Sequence, residues 1–263
     1  MHKPMFMIAN LAVGGGWAGN ADSTTPFPAH MNIDYIRAWD SNPYTNGGSI
    51  PDGGSVPPTA TPAGRMDGTD SADVLVGGDD HPNEIRGLAG DDRITGGGGR
   101  NEINGNQGAD TLTGHSSVGD VLFGGRDNDV IDASQSTAHN AVNGNKGDDM
   151  ITGGTAGDSL WGGQGDDRII GGRDGDWISG DRGHDTLTGG SGADVFHQFA
   201  EGGVSVVTDF NAAEGDRVQL DPNTTYQVTQ QGEDVLVALT GGGQVVLQHT
   251  QLSSLSDGWL FAA

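Results

Sequence analysis

The chain has 263 residues, no cysteine and a formal net charge of −24, with 31 aspartates against five glutamates. Thiolate zinc sites and disulfide staples are therefore excluded, and so acidic a surface is a poor partner for nucleic acid. Only 33% of the residues are hydrophobic, too few for one large core, and no apolar run approaches the ~20 residues of a membrane helix, so no membrane insertion is expected.

In chain order, the first element is residues 1–40. Apolar residues alternate over 6–13 and again over 31–39, with a Gly- and Pro-bearing loop between, which reads as two strands. The words "NLAVGGGWAG", "FPAHM" and "IDYIRAW" resemble the closing strands of family 16 glycoside hydrolases, the laminarinase and β-glucanase jelly rolls. The resemblance covers the tail of that domain only. It implies a β-glucan substrate and two glutamates in an E-x-D-x-x-E pattern, with the carboxyls of a retaining pair roughly 5–5.5 Å apart. The chain has no such motif, and its glutamates, Glu84, Glu102, Glu201, Glu214 and Glu233, are scattered. No catalytic residue is assigned. The expectation is that this is the C-terminal part of a longer glycan-acting protein. Trp17 is read either as a sugar-stacking or as a packing residue, and the resemblance offers Asp34 as a structural calcium ligand. The opening "MHKPMFMIANLAV" also imitates a short signal peptide, but the same residues are accounted for as a strand. Residues 41–66 hold five of the ten prolines and almost no large apolar residue, as a linker does.

Residues 67–197 are repetitive. From 144 to 197 the chain divides into six nonapeptides: GNKGDDMIT, GGTAGDSLW, GGQGDDRII, GGRDGDWIS, GDRGHDTLT and GGSGADVFH. An aspartate stands sixth in each (Asp149, Asp158, Asp167, Asp176, Asp185, Asp194), and a large apolar residue stands eighth (Ile151, Leu160, Ile169, Ile178, Leu187, Phe196). A second clean run, 87–113, carries Asp92 and Asp110 eighteen residues apart. Elsewhere the period slips: 77–86 and 114–123 have ten residues and 133–143 has eleven. Asp73, Asp120 and Asp129 fit in position, but the neighbouring insertions are expected to disturb their register. Asn83, Asn101 and Asn140 stand where aspartate is expected, which removes a charge and is expected to weaken or delete a site.

Each unit predicts a glycine-rich turn followed by a three-residue strand with one inward side chain. Two units make one coil, and coils stack at ~4.8 Å as a parallel ladder. Turns two units apart then lie one above the other, so that Asp149 comes near Asp167 and Asp185, and Asp158 near Asp176 and Asp194. Stacked carboxylates repel one another. Eight basic residues against 22 aspartates and two glutamates leave 67–197 at −16. A cation between the turns is required, and short carboxylates beside unobstructed turn carbonyls suit the all-oxygen shell of calcium.

The nonapeptide is similar to the calcium-binding repeat of RTX proteins, and 67–197 resembles the β-roll of serralysin-type proteases, secreted lipases and alginate epimerases. The resemblance implies several calcium ions, held by the aspartates above and by turn carbonyls, of which Gly162, Gly163, Gly165, Gly171 and Gly172 match best. Binding is expected to be tightest along 144–197. His81, His115, His139, His184 and His197 have no zinc spacing, no HExxH is present, and they are read as solvated turn residues.

Residues 198–263 leave the repeat for short strands, "GVSVVTDF", "DRVQL", "TYQVTQ", "EDVLVAL" and "GQVVLQ", which supply the cap a solenoid needs over its last coil. This segment resembles the C-terminal region of type I secreted RTX proteins, and "LSSLSDGWLFAA" is the candidate export signal or simply a last strand. The expected fold is all-β: a parallel β-roll, or calcium solenoid, with a C-terminal antiparallel β cap and a partial jelly-roll remnant at the N-terminus. The expected function is a calcium-binding module that folds outside the cell, with calcium, a type I secretion exporter and a polysaccharide as partners. Two alternatives are a secreted β-glucan hydrolase whose catalytic part lies elsewhere and a matrix or surface-attachment protein.

Overall fold

The structure is a computed structural model and describes residues 64–79 and 82–262. The expectations for 1–40 and for nearly all of the linker lie outside the described residues. Among the described residues there is no α-helix; a single 3-10 turn spans Leu252–Ser254. Among these residues, too, no helix is long and apolar enough to cross a membrane. The remainder is a parallel β-solenoid of about eight turns, with antiparallel strands near its C-terminal end.

The three-residue strand that the pattern dictates forms at Met150–Thr152, whereas Ser159–Gln164 and Arg168–Arg173 run on through the glycines that open the next unit, and Trp177–Ser191 spans the whole of 180–188. In the strand Met150–Thr152 the first residue is exposed, Ile151 is buried and Thr152 is half-buried, because successive side chains leave a strand on opposite faces. Alternate units feed two sheets. In one, Ile151 stacks in register between Ile131 and Ile169. In the other, Leu160 stacks between Val142 and Ile178. The two apolar columns meet inside the roll as one core, every member of which is essentially inaccessible to solvent. Burying one such side chain contributes ~1.5–3 kcal/mol, and each unit of the repeat supplies only one.

The first strand described, Arg65–Asp67, pairs in parallel with Asn83–Ala89. The ten- and eleven-residue units keep their register, against expectation. Leu122 pairs with both Ile103 and Val142, and Ile131 with both Leu112 and Ile151. The extra residues sit in the turns, where no ladder bond has to be shifted to accommodate them.

Beyond residue 197 the parallel ladders continue. Val195–Gln198 pairs with Arg217–Leu220, which pairs with Leu260–Ala262. The second half of the long strand Trp177–Ser191 pairs with Gly203–Val207, which pairs with Gln244–Leu247. Among the described residues, antiparallel pairing is confined to Tyr226–Gln231, Asp234–Leu239 and Gln244–Leu247. The Phe210 ring lies 6.2 Å from Phe196, the last inward residue of the nonapeptide run, and 6.1 Å from Trp259, which it meets edge-on.

Candidate metal centre

Two residues before each inward apolar side chain, the sixth-position aspartate folds back into the edge of its turn. There it is buried. Its Oδ1 accepts the backbone N–H of the equivalent residue one coil earlier: Asp149 N–H donates to Asp167 Oδ1 (2.8 Å) and Asp167 N–H to Asp185 Oδ1 (3.0 Å). On the opposite side Asp158 N–H donates to Asp176 Oδ1 (2.7 Å) and Asp176 N–H to Asp194 Oδ1 (2.8 Å). The predicted neighbours therefore meet. The same bond crosses the insertions, from Asp73 to Asp92, Asp92 to Asp110, Asp110 to Asp129 and Asp129 to Asp149, at 2.8–2.9 Å.

Two ladders result, one on each flank of the roll. The first flank carries Asp73, Asp92, Asp110, Asp129, Asp149, Asp167 and Asp185. The second carries Asn83, Asn101, Asp120, Asn140, Asp158, Asp176 and Asp194, and ends on Asp216, whose Oδ1 accepts Asp194 N–H at 3.0 Å. Asp216 escaped the sequence reading because no nonapeptide surrounds it. The signal was there: it precedes the inward Val218 by two residues, as the sixth position precedes the eighth.

The second carboxylate oxygen separates the members of these ladders. Oδ2 of Asp92, Asp110, Asp129, Asp149, Asp167 and Asp185 on the first flank, and of Asp176 and Asp194 on the second, is buried with no hydrogen-bond donor. An ionised oxygen in that position costs several kcal/mol unless a proton or a cation compensates it. Loss of water, opposed by the ladder N–H and reinforced by neighbouring carboxylates, pushes the carboxyls of Asp129 and Asp176 up to about 8, those of Asp110, Asp149, Asp167 and Asp185 up to about 7, and those of Asp92 and Asp194 up to about 6.

Each orphan oxygen faces the Cα of the glycine that opens its own unit. A Cβ on Gly162 would land on Oδ2 of Asp167 and 2.7 Å from the carbonyl oxygen of Gly180; one on Gly144 would land on Oδ2 of Asp149 and 2.6 Å from the carbonyl oxygen of Gly162. The space left by the missing Cβ is thus bounded by a carboxylate oxygen and a backbone carbonyl from the coil above. Gly165, at φ +132°, turns the chain where a side chain would strike the carbonyl of Gly147. Among the described residues no three acidic or histidine side chains converge on one point. A cation here would draw most of its shell from carbonyls. Oxygen-only donors, mixed carboxylate and carbonyl, in a glycine-lined cradle fit calcium and leave nothing for a metal that prefers nitrogen or sulfur.

Other candidates fall differently. Oδ2 of Asp73 accepts from Thr69 N–H (2.5 Å) and Thr69 Oγ1 (3.0 Å). Oδ2 of Asp120 accepts from Ser136 Oγ (3.3 Å), and Oδ2 of Asp158 from Gly154 N–H (2.5 Å). Asp158 matched the pattern at its own position, but its unit has Ala156 where its neighbours carry Gly147 and Gly165. Among the glycines, the Gly171 carbonyl stands beside Asp158, while Gly163 and Gly172 hold positive φ, +114° and +125°, within the strands Ser159–Gln164 and Arg168–Arg173.

Sequence reasoning passed over the fifth-position acids. Asp148 and Asp166 form a second, exposed ladder through Asp166 N–H to Asp148 Oδ1 (2.8 Å) and His184 N–H to Asp166 Oδ1 (2.8 Å); the repeated Asp-Asp pairs were its signal. His197 corrects the reading as a solvated turn residue. It lies half-buried on the strand Val195–Gln198, stacked on Trp177 at 5.1 Å and 3.2 Å from Asp221, because the ninth position falls on the outer face of a sheet rather than in a turn.

The family comparison agrees with the repeat pattern. The RTX calcium-binding nonapeptide repeat matches in four copies, over residues 78–112, 118–136, 143–178 and 170–197. No curated protein sequence matches the chain. Among solved structures, the chain is similar to the extracellular lipase LipA from Serratia marcescens, at 18% identity over 77% of this chain with a TM-score of 0.34. It spans 40% of the length of that lipase. The chain carries RTX calcium-binding nonapeptide repeats folded as a parallel roll.

Proposed function

We propose that the roll is the calcium-dependent folding module of a secreted protein. The supporting observation is the row of eight buried carboxylate oxygens without donors, each beside the Cα of the glycine that opens its unit. Without cations, repulsion along both flanks, the ordering entropy of the 31 glycines in 67–197 and one inward side chain per unit work against the fold. Calcium removes the repulsion and joins successive turns, so binding and folding become one event. Extracellular calcium modules bind at roughly 10⁻⁴–10⁻³ M. Such a chain stays unfolded in a cytoplasm, is threaded by a type I exporter, and folds on emerging.

Circular dichroism tests this reading. Calcium-stripped protein gives a coil spectrum, millimolar calcium gives β structure, and magnesium substitutes poorly because it demands a rigid octahedron and holds its waters. A β spectrum unchanged by stripping would overturn the proposal. Export is read separately, as calcium-independent loss of secretion when residues 252–263 are replaced. That the parent protein acts on a β-glucan rests on the words in residues 1–40, and the polysaccharide partner rests with it; turnover of laminarin by a longer chain containing the E-x-D-x-x-E motif checks it.

A further inference from the structure

Resting on the proposed calcium function, we infer that the two flanks load unequally: the first takes calcium along its length, whereas the second is sealed by amide groups from Asn83 to Asp158 and takes calcium only around Asp176 and Asp194. The orphan oxygens draw this division. Six of the eight lie on the first flank, and none lies on the second before Asp176.

What replaces the cation on the second flank is visible. Asn101 Nδ2 donates to the carbonyls of Gly97 and Gly99, both at 2.8 Å, and to Asp120 Oδ1 at 2.8 Å, while Gly97 N–H donates to Asn101 Oδ1 at 3.1 Å. Asn83 repeats the arrangement, with Nδ2 on the Gly78 carbonyl (3.0 Å) and on Asn101 Oδ1 (2.7 Å). Asn140 Nδ2 donates to Asp158 Oδ1 at 2.9 Å. The amide is neutral and carries donors as well as an acceptor. It therefore does at one position what aspartate plus cation does at another: it ties the turn carbonyls to the carboxylate of the next coil. The two aspartates within this stretch have both oxygens occupied. The asparagines are substitutes for calcium built into the chain, and not merely weakened sites.

Asp110 and Asp120 are the corresponding ladder aspartates of successive units on opposite flanks, each two residues before its inward leucine, and they make a matched test in the full chain. Calcium per chain is measured by elemental analysis after dialysis against millimolar calcium, together with the calcium midpoint of folding. Asp110→Asn loses at least one ion and shifts the midpoint upward several-fold. Asp120→Asn keeps the wild-type ion count and a midpoint within about twofold, since an amide there can still accept from Asn101 and donate to Ser136. Should Asp110→Asn fail to fold in calcium, Asp92→Asn on the same flank takes its place. Equal ion loss from the two flanks, or loss from Asp120→Asn alone, overturns the inference while leaving calcium-dependent folding intact. Failure of the wild-type chain to bind calcium overturns the proposed function itself.

Discussion

Aspartate and asparagine at the sixth position differ by one terminal group, an anionic oxygen against an NH₂ donor, and that difference decides whether a turn needs a cation. The glycine opening each unit decides whether there is room for one. Gly162 has an ordinary, not left-handed, backbone, so in Gly162→Ala only the space is at issue. The new methyl occupies the cradle at Asp167. The variant should fold at a higher calcium midpoint, at a cost of ~1–3 kcal/mol. Gly98→Ala, whose Cβ would meet nothing closer than 3.3 Å, should fold at the wild-type midpoint; equal shifts in the two calcium titrations would refute the cradle. Leu88 is a different case. It holds φ +84° in register with Asn106 at φ +78°. A left-handed conformation costs an ordinary L-residue about 1–2 kcal/mol and asparagine less. Leu88→Asn should gain ~1 kcal/mol in thermal melts with saturating calcium, and a loss would mean that the leucine side chain contributes more by packing than its backbone costs.

Along each flank the sixth-position residues act as a ladder, so their protons respond together. In the metal-free fold, burial holds the first-flank carboxyls at about 6 to 8, whereas in an unfolded chain they titrate near 3.9. The folded form then binds protons more tightly than the unfolded one. That stabilisation is fully present below about pH 4 and is lost as pH rises through about 6 to 8. Calcium-stripped protein should accordingly show more β structure at pH 5 than at pH 8 by circular dichroism. Calcium competes for the same oxygens, so its affinity should rise across that window and the spectrum at pH 8 should be restored by the ion. A stripped chain with the same spectrum at both pH values would show that the flank carboxylates do not control folding. The order of the ladders was legible in the spacing of 18; their continuity through the ten- and eleven-residue units was not, because turn insertions leave no mark on which strands pair.

For the whole molecule, the cap and the roll share one core. Phe210 covers the end of the apolar column at Phe196 and is itself met by Trp259. Phe210→Ala should destabilise the calcium-loaded protein by roughly 3 kcal/mol, as large core deletions do. Because the uncovered coil also carries Asp194, the calcium midpoint should rise with it; a lower melting temperature with an unchanged midpoint would mean that cap and roll fold separately. The sequence by itself determined the parallel roll, the inward column and the sixth-position aspartates. A nine-residue period fixes which residues repeat on each face, and the charge of −16 along it demands a counter-ion. Only the tertiary structure decided which of those aspartates lack a donor. Asp158 carries the motif, yet a backbone N–H from Gly154 occupies its second oxygen. Asn101 lacks the carboxylate, yet its amide joins the same carbonyls. Whether a buried oxygen is satisfied depends on the path of a turn and on groups one coil away, and a pattern of residue types along one chain does not contain those distances.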